Sequence, residues 1–325
     1  MDNLSHTLVG AALGEAGLKR RTGLGMATLM IAANLPDLDV LAIPLGDSLA
    51  FRRGWTHGPL ALVALPILLT GIMLLWDRVR SRRGARPPGA VPVRPWQLLL
   101  LATIGVLSHP FFDWLNSYGI RLLMPFSHEW FYGDAIFIID PWIWAALGLG
   151  VYLSRRRDRH GTPAIHRPAR VALGAVAAYV ALMVAGSRSA ERVAIREIEA
   201  QQRGPVHRLM AGPAPVNPLR RRLIYDTGDA YGFGSLAWRP HAEVTLDPEL
   251  LPKRRDHPAV PQAMRHPSIE GFLYWSRFPY FWIDEHPDHF EVHVNDARFS
   301  REARSGWTAR SVPVARGEVG ENPGE

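Results

Sequence analysis

Residues 34–39 read Asn34-Leu35-Pro36-Asp37-Leu38-Asp39, and they interrupt a stretch, Leu24 to Leu45, that is otherwise apolar. The two carboxylates decide what kind of protein this is. Inside a bilayer each ionisable group costs about 2.5–3.5 kcal/mol on insertion scales, so acids in such a stretch mark a functional site. Pro36 lacks a backbone donor and disfavours helix at the residue before it, so a break into an extended turn is expected here. From such a turn Asp37 and Asp39 can both reach one cation, whereas residues two apart on an unbroken helix do not share a face.

Working outward, apolar segments recur at Leu60–Trp76, Trp96–Leu115, Ala135–Leu153 and Ala169–Gly186. A shorter one, Leu4–Leu18, carries Leu4, Leu8, Val9, Ala12 and Leu13 at helical spacing. The fold class expected is mainly α: a polytopic helical membrane domain of five to six membrane helices over residues 1–187, followed by a small β-rich domain. Beyond residue 187 the chain turns polar and basic and rich in Pro, Gly and aromatics. Residues 188–204 read as a charged helical neck and 205–315 as a β-rich soluble domain. Strand-like runs occur there at Glu243–Leu246, Gly271–Ile283 and Phe290–Val294, with a turn signal at Asn295-Asp296. Residues 316–325 are expected to be a disordered tail.

The formal net charge of +7 over 325 residues would suit nucleic acid in a soluble protein. Here the arginines gather between apolar segments. Arg78, Arg80, Arg82, Arg83, Arg86 and Arg94 fill one loop, and six more lie between Ser154 and Arg170. That placement is a topology signal that puts both loops in the cytoplasm, so no nucleic-acid partner is expected and the lipid bilayer is the first partner. By the same count the C-terminal domain falls outside the cytoplasm. No cysteine occurs, which removes disulfides and thiolate ligands. The N-terminus lacks the pattern of a cleaved signal peptide, so entry into the membrane is assigned to the chain's own first helices.

The arginine count used none of the candidate site residues, yet it sends them to one membrane side. His109 and Asp113, in His109-Pro110-Phe111-Phe112-Asp113, are i and i+4 on a helix and about 5–6 Å apart on one face. His57, in Trp55-Thr56-His57, lies in the outer loop with them, and His6 joins the same level if the first helix runs inward from outside. Asp140, before Pro141, reads equally as a ligand or as a helix cap. With His6, Asp37, Asp39, His57, His109, Asp113 and Asp140 as candidates, the donors are imidazole and carboxylate, which suit zinc, with manganese as the alternative. Asp37 and Asp39 are also the candidate catalytic carboxylates. Gly46-Asp47-Ser48-Leu49 spells an esterase signature but sits in a loop between apolar segments and is read as chance. His286, His289 and His293 lie in a strand-like run and are left out of the candidate set.

The ordered set His6-Thr7 with Gly10, Asn34 to Asp39, Arg53-Gly54-Trp55-Thr56-His57, Ser108-His109-Pro110 to Asp113, and Asn116-Ser117-Tyr118-Gly119 resembles the YdjM-like family of bacterial inner-membrane metal-dependent hydrolases. The resemblance covers roughly residues 1–190. Trp275-Ser276-Arg277-Phe278-Pro279 also resembles that family, more weakly. It implies a helical core distantly similar to zinc-dependent phospholipase C, a bacterial cytoplasmic (inner) membrane location, and metal residues His6, Asp37, Asp39, His57, His109 and Asp113. It implies a hydrolase and names no substrate. The expected function is a metal-dependent hydrolase acting on a lipid or lipid-linked ester, with phosphoesters favoured by the phospholipase likeness. The alternatives are a divalent-metal transporter or sensor, and a membrane scaffold with a structural metal.

Overall fold

A computed structural model describes residues 1–45, 52–302 and 310–319. The Gly46–Leu49 signature therefore lies outside the described residues. The chain divides into two compact units. One comprises Met1–Ala42, Arg52–Ser187 and Gly212–Pro218; the other comprises Ile43–Phe51, Arg188–Ala211 and Leu219–Glu325.

In the first unit, helix α1 (Asn3–Glu15) is capped by Asp2, whose carboxylate accepts from the Ser5 amide at 3.0 Å. Helix α2 (Gly25–Ala32) stops just before Asn34-Leu35-Pro36, and the chain continues as a 3₁₀ segment, Leu35–Leu45. The expected break is therefore present, in 3₁₀ rather than extended form. Asn34 secures it by donating from Nδ2 to Thr7 Oγ1 at 3.0 Å and to the Met30 carbonyl at 2.9 Å. Helices α3 (Pro59–Arg82), α4 (Pro95–Trp114) and α5 (Pro141–Arg159) each start with proline in the first turn, where a missing amide costs nothing. Helix α6 runs over Arg167–Ala200.

Three helices among the described residues, α3, α4 and α6, are long and apolar enough to cross a membrane. At 13 and 8 residues, α1 and α2 extend only about 20 and 12 Å and fall short of a bilayer core. Helix α5 has the length, but its last turn carries Arg156, Arg157 and Arg159. Only 22% of the most apolar window of α3 is buried, and Leu60, Val63, Ile67, Leu68 and Leu75 face outward. An exposed apolar surface of that extent belongs against lipid.

Among the described residues, the inner faces pack into hydrophobic cores. Ala32, Leu69, Met73, Leu98, Ala102 and Val106 join α2, α3 and α4. Val9, Ala12, Ile143, Leu147, Val176 and Val180 join α1, α5 and α6. Close approach depends on two glycines. A Cβ at Gly10 would lie 2.7 Å from the Leu29 carbonyl oxygen, and one at Gly105 would lie 2.5 Å from Ala32 Cβ.

The second unit is β-rich. Strands β1 (Arg208–Pro213), β2 (Arg220–Asp226), β3 (Ala230–Arg239) and β4 (His241–Leu246) lie in that order in one sheet, with β5 (Leu251–Pro252) also on β3. After short helices α7 (Val260–Met264) and α8 (Pro267–Trp275), strands β6 (Pro279–Glu285), β7 (His289–Asp296) and β8 (Arg310–Ala315) form an antiparallel sheet. The strand-like run Gly271–Ile283 is thus divided. Gly271–Trp275 is helical because Pro267 opens a turn capped by His266, and Ile269, Phe272 and Trp275 then fall on one buried face. Asn295-Asp296 ends β7, and Asp296 accepts from Ser276 Oγ at 2.6 Å and the Arg277 amide at 2.8 Å. The Trp275–Pro279 motif is thereby hooked onto the end of β7. Of the expected disordered tail, Arg316–Val319 forms a 3₁₀ turn; residues 320–325 lie outside the described residues.

Candidate metal centre

Three separate local structures deliver the donors. The 3₁₀ segment after α2 presents Asp37 and Asp39, the loop before α3 presents His57, and α4 presents His109 and Asp113. Pro110 does not interrupt α4, so the i, i+4 pair stays on one face with His109 Nε2 3.5 Å from Asp113 Oδ2. His109 Nε2 is also 3.6 Å from Asp37 Oδ1, and His57 Nε2 is 3.6 Å from Asp113 Oδ2. One donor atom each from Asp37, His57, His109 and Asp113 lies within 4.8 Å of all the others, and all four residues are buried.

The other imidazole nitrogens are occupied by protein. His109 Nδ1 donates to the Ala33 carbonyl at 2.7 Å, and His57 Nδ1 is 2.9 Å from Thr56 Oγ1. Each Nε2 is left facing the cluster, the arrangement that orients metal-ligating histidines. Among the described residues, His57 Nε2, His109 Nε2 and Asp37 Oδ1 are shielded from solvent and make no hydrogen bond, and the buried Asp113 carboxylate beside them meets the Met1 amino group through Oδ1 and Arg53 Nε through Oδ2. An unsatisfied buried polar atom costs about 1–3 kcal/mol, so converging orphans of this kind call for a shared partner. Donors around a tetrahedral zinc with bonds near 2.0–2.1 Å lie about 3.3 Å apart, close to the spacings found. The residues fit a divalent ion, and the absence of sulfur leaves zinc and manganese both compatible.

The remaining candidates take different places. His6 stacks on His109 with ring centroids 3.8 Å apart and its Nε2 3.4 Å from Asp113 Oδ1, which also contacts the Met1 amino group. Asp39 lies beside the four-residue group; its Oδ2 accepts from the Arg53 amide at 2.7 Å and its Oδ1 is free of hydrogen bonds among the described residues. Asp140 is not brought to the group. Its Oδ1 accepts from the Trp142 and Ile143 amides at 3.0 and 3.2 Å, and its Oδ2 from Tyr179 at 2.9 Å, so it is the cap of α5.

Two arginines absent from the candidate set border the site. Arg53 is buried at φ +55°, a left-handed conformation costly for a non-glycine residue, and this turns its amide onto Asp39. Its Nε lies 3.2 Å from Asp113 Oδ2, and its Nη1 donates to Asn116 Oδ1 at 3.2 Å and the Gly119 carbonyl at 3.3 Å. Asn116 and Gly119 thus hold Arg53 in place. Arg52 is partly exposed, with Nη2 3.9 Å from Asp37 Oδ1 and Nε 3.9 Å from Asp39 Oδ1. The available signal was a pair of arginines directly before Gly54-Trp55-Thr56-His57 in a loop otherwise poor in charge.

The family model described as YdjM inner membrane protein matches residues 1–191, which contain every donor above. A Bacillus subtilis (strain 168) protein described as uncharacterized protein YfhP is 30% identical over 153 residues, covering 44% of this chain and 43% of that protein. The match thus spans less than half of the relative's length. No solved structure shows a significant match. The chain belongs to the YdjM inner membrane protein family.

Proposed function

We propose that this member of the YdjM inner membrane protein family is a metal-dependent hydrolase that cleaves a lipid or lipid-linked ester at the outer face of the cytoplasmic membrane. The observation that carries the reading is the convergence of buried donor atoms from Asp37, His57, His109 and Asp113, with His57 Nε2, His109 Nε2 and Asp37 Oδ1 free of hydrogen bonds among the described residues. These residues would hold the ion, zinc or manganese. Such an ion, when bound, supplies Lewis acidity and lowers the pKa of water to about 7. Asp39, fixed by the Arg53 amide through one oxygen, keeps the other free to orient water or accept its proton. Hydrolysis places the water's hydroxyl on the acyl or phosphoryl side and a proton on the leaving oxygen.

A lipid substrate is supported by the rim. Leu38, Leu41, Trp55 and Phe111, next in sequence or nearly so to the donors, are 48%, 70%, 53% and 49% exposed. Against a transporter stands the pairing of Glu15, a buried acid at the far end of α1, with Lys19 at 2.6 Å and Arg155 at 3.2 Å. Transport would need uncommitted ligands along the path. With α5 as a fourth crossing, the arginine placement supports an extracytoplasmic C-terminal β-rich unit.

The test is elemental analysis of detergent-purified protein together with turnover on phospholipids and lipid-linked phosphates. Stoichiometric zinc or manganese with turnover is expected. Metal flux in proteoliposomes without turnover would favour transport, and absence of bound metal after reconstitution would end the hydrolase reading.

A further inference from the structure

We propose that Arg52 binds the phosphoryl group of the substrate, which makes that substrate a phosphate-bearing lipid. The assignment rests on the metal-dependent reading above and names the substrate class of the same site. Two consecutive arginines border the centre, and the structure employs them differently. Arg53 is buried and committed to Asp113, Asn116 and Gly119. Arg52 keeps 30% of its side chain exposed, and its guanidinium stands 3.9 Å from Asp37 and from Asp39, beyond hydrogen-bond range of either. Its Nε is shielded and has no hydrogen-bond partner among the described residues. Its backbone is fixed, because the Arg52 carbonyl accepts from Arg121 Nη2 at 3.1 Å.

Arg52 is therefore a tethered, partly exposed cation with donors to spare beside a buried centre. A planar guanidinium fork matches two phosphoryl oxygens at once, which a lysine ammonium does not. The charge balance points the same way. Asp37, Asp39 and Asp113 face Arg52 and Arg53. A divalent ion added to this set leaves the centre net positive even without the Met1 amine, so an anionic group is drawn in. Trp55 and Phe111, exposed on the rim, suit the hydrocarbon that accompanies it.

The experiment titrates inorganic phosphate, followed by calorimetry, into zinc-loaded full-length protein in detergent. It compares wild type, Arg52→Ala and Arg52→Lys, with metal content measured on the same samples. Phosphate binding at least tenfold weaker in Arg52→Ala, partly recovered in Arg52→Lys, with metal retained in all three, is the expected result. Equal phosphate affinity in wild type and Arg52→Ala, or none in metal-loaded wild type, overturns the assignment and leaves the hydrolase reading standing. Wild type that takes up no metal overturns both. A second arm uses mixed micelles of phosphatidic acid. Tighter binding than to inorganic phosphate supports a lipid source, and equal binding overturns the lipid part of the proposal.

Discussion

His109 donates from Nδ1 to the carbonyl oxygen of Ala33 at 2.7 Å, so the last turn of α2 sets the ring orientation of a residue on α4. The bond leaves Nε2 aimed at Asp37 and Asp113. One helix end thereby both terminates at the Asn34-Leu35-Pro36 break and orients a donor across the bundle.

Removing that donor separates binding from folding. His109→Ala is expected to lose bound zinc or manganese, because one of four mutually close donors goes. The helical circular dichroism should persist, since α4 keeps Leu98, Leu101, Ala102 and Val106 in its core. Elemental analysis beside far-ultraviolet spectra checks it, and full retention of metal would remove His109 from the site.

Asp39 should behave differently. Asp39→Asn keeps the contact with the Arg53 amide through its carbonyl oxygen but cannot accept a proton. Metal content is expected to be unchanged while turnover falls about 10²–10⁴-fold, the usual range for loss of a general base. Loss of metal in this variant would instead make Asp39 a ligand.

Gly10→Ala tests the packing under the site. The added methyl would meet the Leu29 carbonyl oxygen at 2.7 Å and Met30 Cα at 2.9 Å, both backbone atoms with no flexible end to yield. Overpacking of this kind costs about 1–3 kcal/mol. A lower melting temperature in detergent is expected, together with weaker metal retention, because α1 and α2 must move apart near Asn34 and Ala33.

Asp140→Ala provides the contrast. Loss of the α5 cap should cost about 0.5–2 kcal/mol and lower the melting temperature without altering metal content. A fall in bound metal would return Asp140 to the ligand set.

Acid should loosen the second unit at Asp296. Burial alone would raise its carboxyl, but Arg298 at 2.9 Å and the bonds from Ser276 and Arg298 outweigh it and hold the carboxyl below its usual range. A depressed folded value means that the stabilisation is complete above the unfolded pKa of about 3.9 and is lost as pH falls through the folded value. Hydrogen-exchange protection of peptides over 271–299 in the full-length chain, taken relative to the intrinsic rate at each pH, is expected to fall below about pH 4. Asp296→Ala should destabilise this unit by about 3–5 kcal/mol at neutral pH by removing the carboxylate that pairs with the buried Arg298.

The sequence by itself determined whatever is local or compositional. Asn34-Leu35-Pro36 predicts the end of α2 because proline cannot continue a helix, and the lack of cysteine confines the donors to imidazole and carboxylate. The i, i+4 spacing predicts the pairing of His109 with Asp113 through helical periodicity alone. Tertiary structure decided the remainder, because a polar side chain takes whichever partner the packing brings within reach. Asp140 found two amides and Tyr179 and became a cap, while Asp39 found the Arg53 amide and stands beside the donors. His6 was brought to the centre as a ring stacked on His109. Gly271–Trp275 became helical because one face could bury Phe272 and Trp275, a choice that strand-like composition does not reveal. The positions of Arg52 and Arg53 beside the donors depended on backbone turns and distances between segments that are far apart in the chain, which no local pattern encodes.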